Sequence, residues 1–120
     1  MSEQPQGQTA GLPENAYLVI NSQVIPLVRI ITKIGRRLDN DLVIQDPLIS
    51  RDHVEIRFEN GQFVAYDLGS TGGTFINNQK VDRSVLYSGD ILSLATVPMM
   101  FVHDSPGVET KSEKTTGNLK

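Results

Sequence analysis

The chain has 120 residues, enough for one domain, and its 11 Lys and Arg against 14 Asp and Glu leave a net charge of -3. That balance argues against a general nucleic-acid binder, whose phosphate-backbone affinity comes from accumulated Lys and Arg. The absence of cysteine excludes disulfides, thiolate catalysis and zinc knuckles, and fits a cytoplasmic protein; no cofactor is expected.

Residues 1–14 are polar, rich in Gln, Gly and Pro, and read as a disordered tail. They lack the basic and apolar regions of a signal peptide, and nowhere does an apolar run approach the roughly 20 residues that cross a bilayer. The folded unit spans 15–104. Ala16-Tyr17-Leu18-Val19-Ile20 reads as a strand, with a turn at Asn21-Ser22-Gln23. The β-branched stretch Val24 to Ile34 holds two strands, with Pro26 at an edge or bulge because it cannot donate to a ladder. Asp39-Asn40-Asp41 is a loop and Leu42-Val43-Ile44 a short strand. His53 to Glu59 alternates strictly, which marks a strand with one wet face. Asn60-Gly61 is the strongest local hairpin signal, and Gln62 to Tyr66 is the return strand. Thr74-Phe75-Ile76 and Lys80-Val81 flank another small hairpin. Ser88-Gly89-Asp90 turns into the strand Ile91 to Ala95, and Met99 to Val102 closes the domain. Residues 105–120 form a second disordered tail. No apolar pattern repeats at helical spacing, so the fold class is all-β, an antiparallel sandwich.

Three loops hold most of the groups that could grip an anion: Gly35-Arg36, Ser50-Arg51-Asp52-His53, and Asp67-Leu68-Gly69-Ser70-Thr71-Gly72-Gly73-Thr74, closed by Asn77. We read them as converging on one phosphate. A phosphothreonine carries about -1.5 to -2 charges and three strong acceptor oxygens. The planar fork of Arg36 can bind two of those oxygens at once. Ser50 and Thr71 offer hydroxyl donors, and Arg51 a second charge. Gly69, Gly72 and Gly73 open backbone conformations closed to other residues, so N–H groups can also face an anion.

In order, and on strand boundaries, these motifs resemble the forkhead-associated (FHA) domain family from Ile34 to about Leu94, ending in Leu86-x-x-Gly89-Asp90. The resemblance implies an FHA/SMAD-like sandwich of about eleven strands whose loops at one end recognise phosphothreonine in a partner protein, a kinase or a kinase substrate. It implies Arg36, Ser50, Arg51 and Thr71 as phosphate ligands, and Gly35, His53 and Gly73 as residues that shape the loops. Asn77 matches a loop-shaping position and is also a candidate peptide contact. Two departures stand out. Gly72 replaces an Asn that commonly holds the bound peptide's backbone, which leaves Asn40 or Asn77 to take over. Leu48 sits where the family often reads the third residue after the phosphothreonine, and points to an apolar preference there.

Other readings of these residues are weaker. Ser50 and His53, with Asp52 or Asp67, could form a nucleophile and base, but there is no strand–elbow–helix motif, and the expectation is a binding module and not an enzyme. A scaffold that kept the sandwich for phosphate-independent contacts is the alternative, and Gly72 favours it. Asp39, Asp41 and Asp46 lack calcium-loop spacing, and two histidines cannot build an imidazole metal site. Lys33, Arg36 and Arg37 form a small basic cluster that would steer a dianion. Thr9, Thr110, Thr115 or Thr116, if phosphorylated, could dock on the chain's own site.

Overall fold

The computed structural model describes residues 13–104. Eleven strands follow in order: β1 (Ala16–Ile20), β2 (Gln23–Pro26), β3 (Ile31–Gly35), β4 (Leu42–Val43), β5 (Val54–Glu59), β6 (Gln62–Asp67), β7 (Thr74–Ile76), β8 (Gln79–Val81), β9 (Arg83–Leu86), β10 (Ile91–Leu94) and β11 (Val97–His103). They form a six-stranded sheet, β2-β1-β11-β10-β7-β8, and a five-stranded sheet, β4-β3-β5-β6-β9. All the strand pairs are antiparallel except β3 with β4, which run parallel.

Period-two alternation turns one face of each sheet inward. Leu18, Leu92, Leu94 and Phe101 from the larger sheet meet Ile34, Val54, Ile56 and Phe63 from the smaller, and all are buried. Phe63 and Phe101 touch across the core with ring centroids 5.3 Å apart, a tilted arrangement that aromatic pairs favour. Among the described residues no helix is long and apolar enough to cross a membrane.

Three two-residue turns have both central residues at positive φ: Asn21-Ser22, Asn60-Gly61 and Asn77-Asn78. That is the requirement of the hairpin turn whose twist matches the strands, and it explains the Asn enrichment. Pro26 does end an edge strand, opposite Tyr17. Three expectations need correction. Arg83 to Leu86 was not anticipated as a strand; it carries only one buried residue, Leu86, on a sheet edge, so its apolar signal is faint. The strand at Ile91 ends at Leu94, because Ala95 takes φ 55° and opens the turn to β11. The strand expected from His53 begins at Val54, with His53 turned into the core just before it.

The strand directions place the β3–β4, β4–β5, β6–β7 and β10–β11 connections at one end of the sandwich. The chain enters and leaves at the other end, where the Asp104 N–H bonds the Asn15 carbonyl.

Candidate functional site

Gly35 ends β3 where the next loop presses against it. A Cβ there would lie 2.1 Å from the Arg51 carbonyl oxygen, so no side chain fits. That contact docks the Arg36 loop onto the Ser50 loop, and two ladders secure it. The Arg36 N–H bonds the Ser50 carbonyl at 3.0 Å, and the Arg37 N–H bonds the Arg51 carbonyl at 3.1 Å. Asn40, nearly buried, donates both amide hydrogens, to the Arg37 carbonyl at 3.0 Å and the Arg51 carbonyl at 2.8 Å.

The third loop is organised by Asp67. Its Oδ2 accepts the Gly69 and Ser70 N–H groups at 3.0 Å, and its Oδ1 accepts the hydroxyls of Ser70 at 2.6 Å and Thr74 at 2.7 Å. Burial works against ionisation of this carboxyl, but the four donors outweigh it and hold its pKa below the ordinary carboxylate range. Gly69 and Gly73 take φ of 72° and 86°.

His53 joins the second loop to the third. It is fully buried; its Nδ1 accepts the Ser50 N–H at 3.1 Å, and its Nε2 lies 2.9 Å from the Gly73 carbonyl. A backbone N–H can only donate, so Nδ1 is unprotonated and Nε2–H donates to Gly73. The ring therefore faces the Ser50 backbone and not its hydroxyl, and a Ser50–His53 nucleophile pair is not assembled.

Ser50 is where the loops meet. Its carbonyl receives Arg36 N–H, and its Oγ receives the Thr71 N–H at 3.1 Å. The Ser50 Oγ keeps its own hydrogen to donate. The Arg36 guanidinium is braced by an Nε–H bond to the Ile49 carbonyl at 2.9 Å, and among the described residues its two terminal nitrogens have no hydrogen-bond partner. Among the described residues neither Arg36 nor Arg51 has a carboxylate partner, and Arg36, Arg51 and Thr71 are exposed. Arg37 differs. Its fork grips Asp52 at 3.0 and 3.3 Å, so this cation is spent on pinning two loops. The hydrogen bond from Arg37 holds the Asp52 carboxyl below the ordinary range. The basic cluster expected from Lys33, Arg36 and Arg37 is thus reduced by one.

Several predicted roles change. Gly72 does not take a left-handed conformation, unlike Gly69 and Gly73. It is small for want of space: a Cβ would come within 2.7 Å of the Ala95 Cβ and 3.0 Å of the Leu48 carbonyl oxygen. Neither substitute for the missing amide is available. Asn40 is consumed between the first two loops. Asn77 lies at the opposite end of β7 from Gly73, where its Nδ2 donates to Asp90 at 2.9 Å and its Oδ1 accepts the Ile91 N–H at 2.9 Å. It shapes a turn, and the structure does not bring it to the cluster. Leu48 is exposed, its N–H capped by Asp46 at 2.8 Å, and borders Gly72 through its carbonyl. Sequence reasoning missed the clamp of Asn40, the strained Ala95 and the hub at Asp67, which the Asp67-x-Gly spacing, an Asx-turn signal, could have marked. Among the described residues no cluster of His, Asp or Glu could hold a metal. The tail threonines lie outside the described residues.

The FHA domain model matches residues 32–95, a span that takes in all three loops. The chain belongs to the FHA domain family. Over 72 residues this FHA domain is 39% identical to the glycogen accumulation regulator GarA of Mycobacterium tuberculosis, covering 60% of the chain and 44% of that relative. Over 102 residues it is 31% identical to the oxoglutarate dehydrogenase inhibitor of Corynebacterium jeikeium, covering 79% of the chain and 70% of the relative. The chain therefore spans under half the length of GarA. Among solved structures it is similar to Mycobacterium tuberculosis EmbR in complex with a low-affinity phosphopeptide, with TM-score 0.72, 28% identity, and 75% of this chain and 24% of that one covered. It is likewise similar to a domain described in a study of phosphothreonine-dependent FHA domain interactions, with TM-score 0.73, 27% identity, and coverage of 77% and 99%.

Proposed function

We propose that this FHA domain binds phosphothreonine in an extended segment of a partner protein and carries Ser/Thr-kinase signals by binding. One observation supports this above the rest: backbone N–H bonds from Arg36 and Thr71 both land on Ser50, so the three loops that carry these donors are gathered at one residue, beside a braced guanidinium. Arg36 and Ser50 are the central ligands, with Thr71 and Arg51 beside them. Charge-assisted hydrogen bonds from a rigid cluster are the strong kind, and the ordering cost falls before the ligand arrives. Family membership and similarity to a phosphopeptide complex support the same reading.

Calorimetry with an oriented phosphothreonine peptide library tests it. Phosphorylated pools should bind, and unphosphorylated and Thr-to-Glu pools should not, since a planar monoanion cannot satisfy donors set for a tetrahedral dianion. The Arg36→Ala variant should lose the difference. Equal binding of phosphorylated and unphosphorylated pools would instead favour the scaffold reading that Gly72 suggests.

A further inference from the structure

The two outer faces of the sandwich differ in kind. On the five-stranded sheet the outward side chains are mixed: Ile31, Val64 and Val85 share a row with Arg57, but charged and polar groups surround them and engage one another. Arg57 pairs with Glu55 at 3.0 Å and stacks on Tyr66 at 4.0 Å, while the Tyr66 hydroxyl bonds Glu59 at 2.8 Å. Such a face is finished against water.

On the six-stranded sheet the ladder register aligns Val24, Val19, Met100 and Ile91 in one row across β2, β1, β11 and β10. Tyr17 and Val102 stand opposite each other in the next row. Among the outward positions of the paired strands, Ser93 and Lys80 are the only polar ones, and Lys80, on the rim strand β8, is the only charge. Val24 is 59% exposed and Met100 41%. An antiparallel sheet with one wet face alternates apolar and polar residues; β11 runs Val97-Pro98-Met99-Met100-Phe101-Val102 without a polar residue, the pattern of a strand covered on both sides.

We propose that this face is a self-association surface and that its occupant is the same face of a second copy, related by a two-fold axis. Two observations favour a copy over other occupants. A two-fold contact sets each surface against itself, and a face without carboxylates and with one rim lysine brings almost no like charges together, although the chain as a whole is acidic. The chain's own terminal segments, 1–12 and 105–120, are poor in apolar residues and cannot match an apolar sheet. Six strands at roughly 4.8 Å spacing, averaging about four residues of 3.4 Å each, present roughly 400 Å². That lies within the roughly 300–600 Å² of the largest patch on an ordinary monomer, one that is often functional, and falls short of the about 800 Å² per partner of a standard interface. The dimer is therefore weak and forms as concentration rises, with the sheets stacked about 10 Å apart. The phosphate loops lie at the end of the sandwich and stay open, so a dimer displays two of them.

Sedimentation equilibrium of the full chain from about 10 μM to 1 mM tests this, a range bracketing the expected weak association. The weight-average mass should rise toward twofold. Met100→Glu, and independently Val24→Glu, should each weaken the association at least about tenfold, while Ile31→Glu on the other sheet's outer face should leave it unchanged. Melting curves report whether each variant is folded. A constant monomer mass, or association that survives both face variants, overturns the proposal. Solvent paramagnetic relaxation of the Met100 methyl separates the occupants. Protection that grows with concentration supports the copy; protection already complete in dilute monomer would mean the chain covers its own face, and would overturn it.

Discussion

Arg36 is held by its Nε–H on Ile49, so its fork has little freedom left to lose when an anion arrives. Lysine at this position would keep the charge but lose both the brace and the two-oxygen grip. The lost charge-assisted bonds are worth about 1.5–3 kcal/mol, so calorimetry of Arg36→Lys should show phosphopeptide affinity about 10- to 100-fold weaker. Gly72 and Ala95 form the second informative pair. Ala95 holds a left-handed φ of 55° at the first position of a two-residue turn, where glycine is favoured, and its Cβ occupies the space that a side chain on Gly72 would need. Ala95→Gly should therefore stabilise the fold by about 1 kcal/mol in denaturant melts. Gly72→Asn alone should cost about 1–3 kcal/mol through overpacking and gain no peptide affinity. Gly72→Asn with Ala95→Gly should recover the stability and bind peptide more tightly than the parent. If the single Gly72→Asn change already tightened binding, the steric account would be wrong.

At the scale of elements, the loops are rigid because each is tied to its neighbour: Gly35 and Asn40 tie the first to the second, His53 the second to the third, and Asp67 ties the third to itself and to β7. Asp67→Ala would strand the fully buried Thr74 hydroxyl and two N–H groups. An unmet buried donor costs about 1–3 kcal/mol, and the more exposed N–H groups can turn to water, so a stability loss of about 2 kcal/mol is expected, with phosphopeptide affinity falling as Thr71 loses its support. The sign of the pH dependence follows from the direction of the shift. The Asp67 pKa is lower in the folded state than in the unfolded, so its contribution is complete above the unfolded value of about 3.9 and disappears as pH falls through the folded value. Acid titration of parent and Asp67→Ala should show the two stability curves converging below about pH 4.

For the whole molecule, binding and folding respond to acid through different groups at opposite ends. A phosphothreonine takes up a proton near pH 6, so phosphopeptide affinity should be flat above about pH 7 and fall by up to about tenfold per unit below 6. A difluorophosphonate analogue, with its lower second pKa, should move that fall to lower pH. His103 lies away from the loops, where burial keeps its pKa below the usual imidazole value and Asp104 partly offsets this; its ring meets Phe63 edge-on at 5.1 Å. Because its unfolded form binds the proton more readily, fold stability should begin to slip below about pH 6.5. Melts run beside the titrations distinguish the two.

Much of this was legible in the residues themselves. Period-two alternation and the Asn-Gly and Asn-Asn turns mark strands because both are local properties of a few neighbouring φ and ψ angles, and the ordered Gly-Arg, Ser-Arg-x-His and Asp-x-x-Ser-Thr motifs mark the loops because phosphate chemistry needs those donors. What only the tertiary structure decided is how donors are apportioned. Arg36 and Arg37 are adjacent and chemically identical, yet one is presented outward and the other is closed on Asp52, fifteen residues away. Asn40 and Asn77 carry the same amide, and each is consumed by partners that the fold alone brings within reach. Gly72 reads as a glycine kept for an unusual backbone conformation until Ala95, from a distant turn, is seen to fill its space. A hydrogen bond or a clash depends on positions in space, and chain order states only which atoms are available to make one.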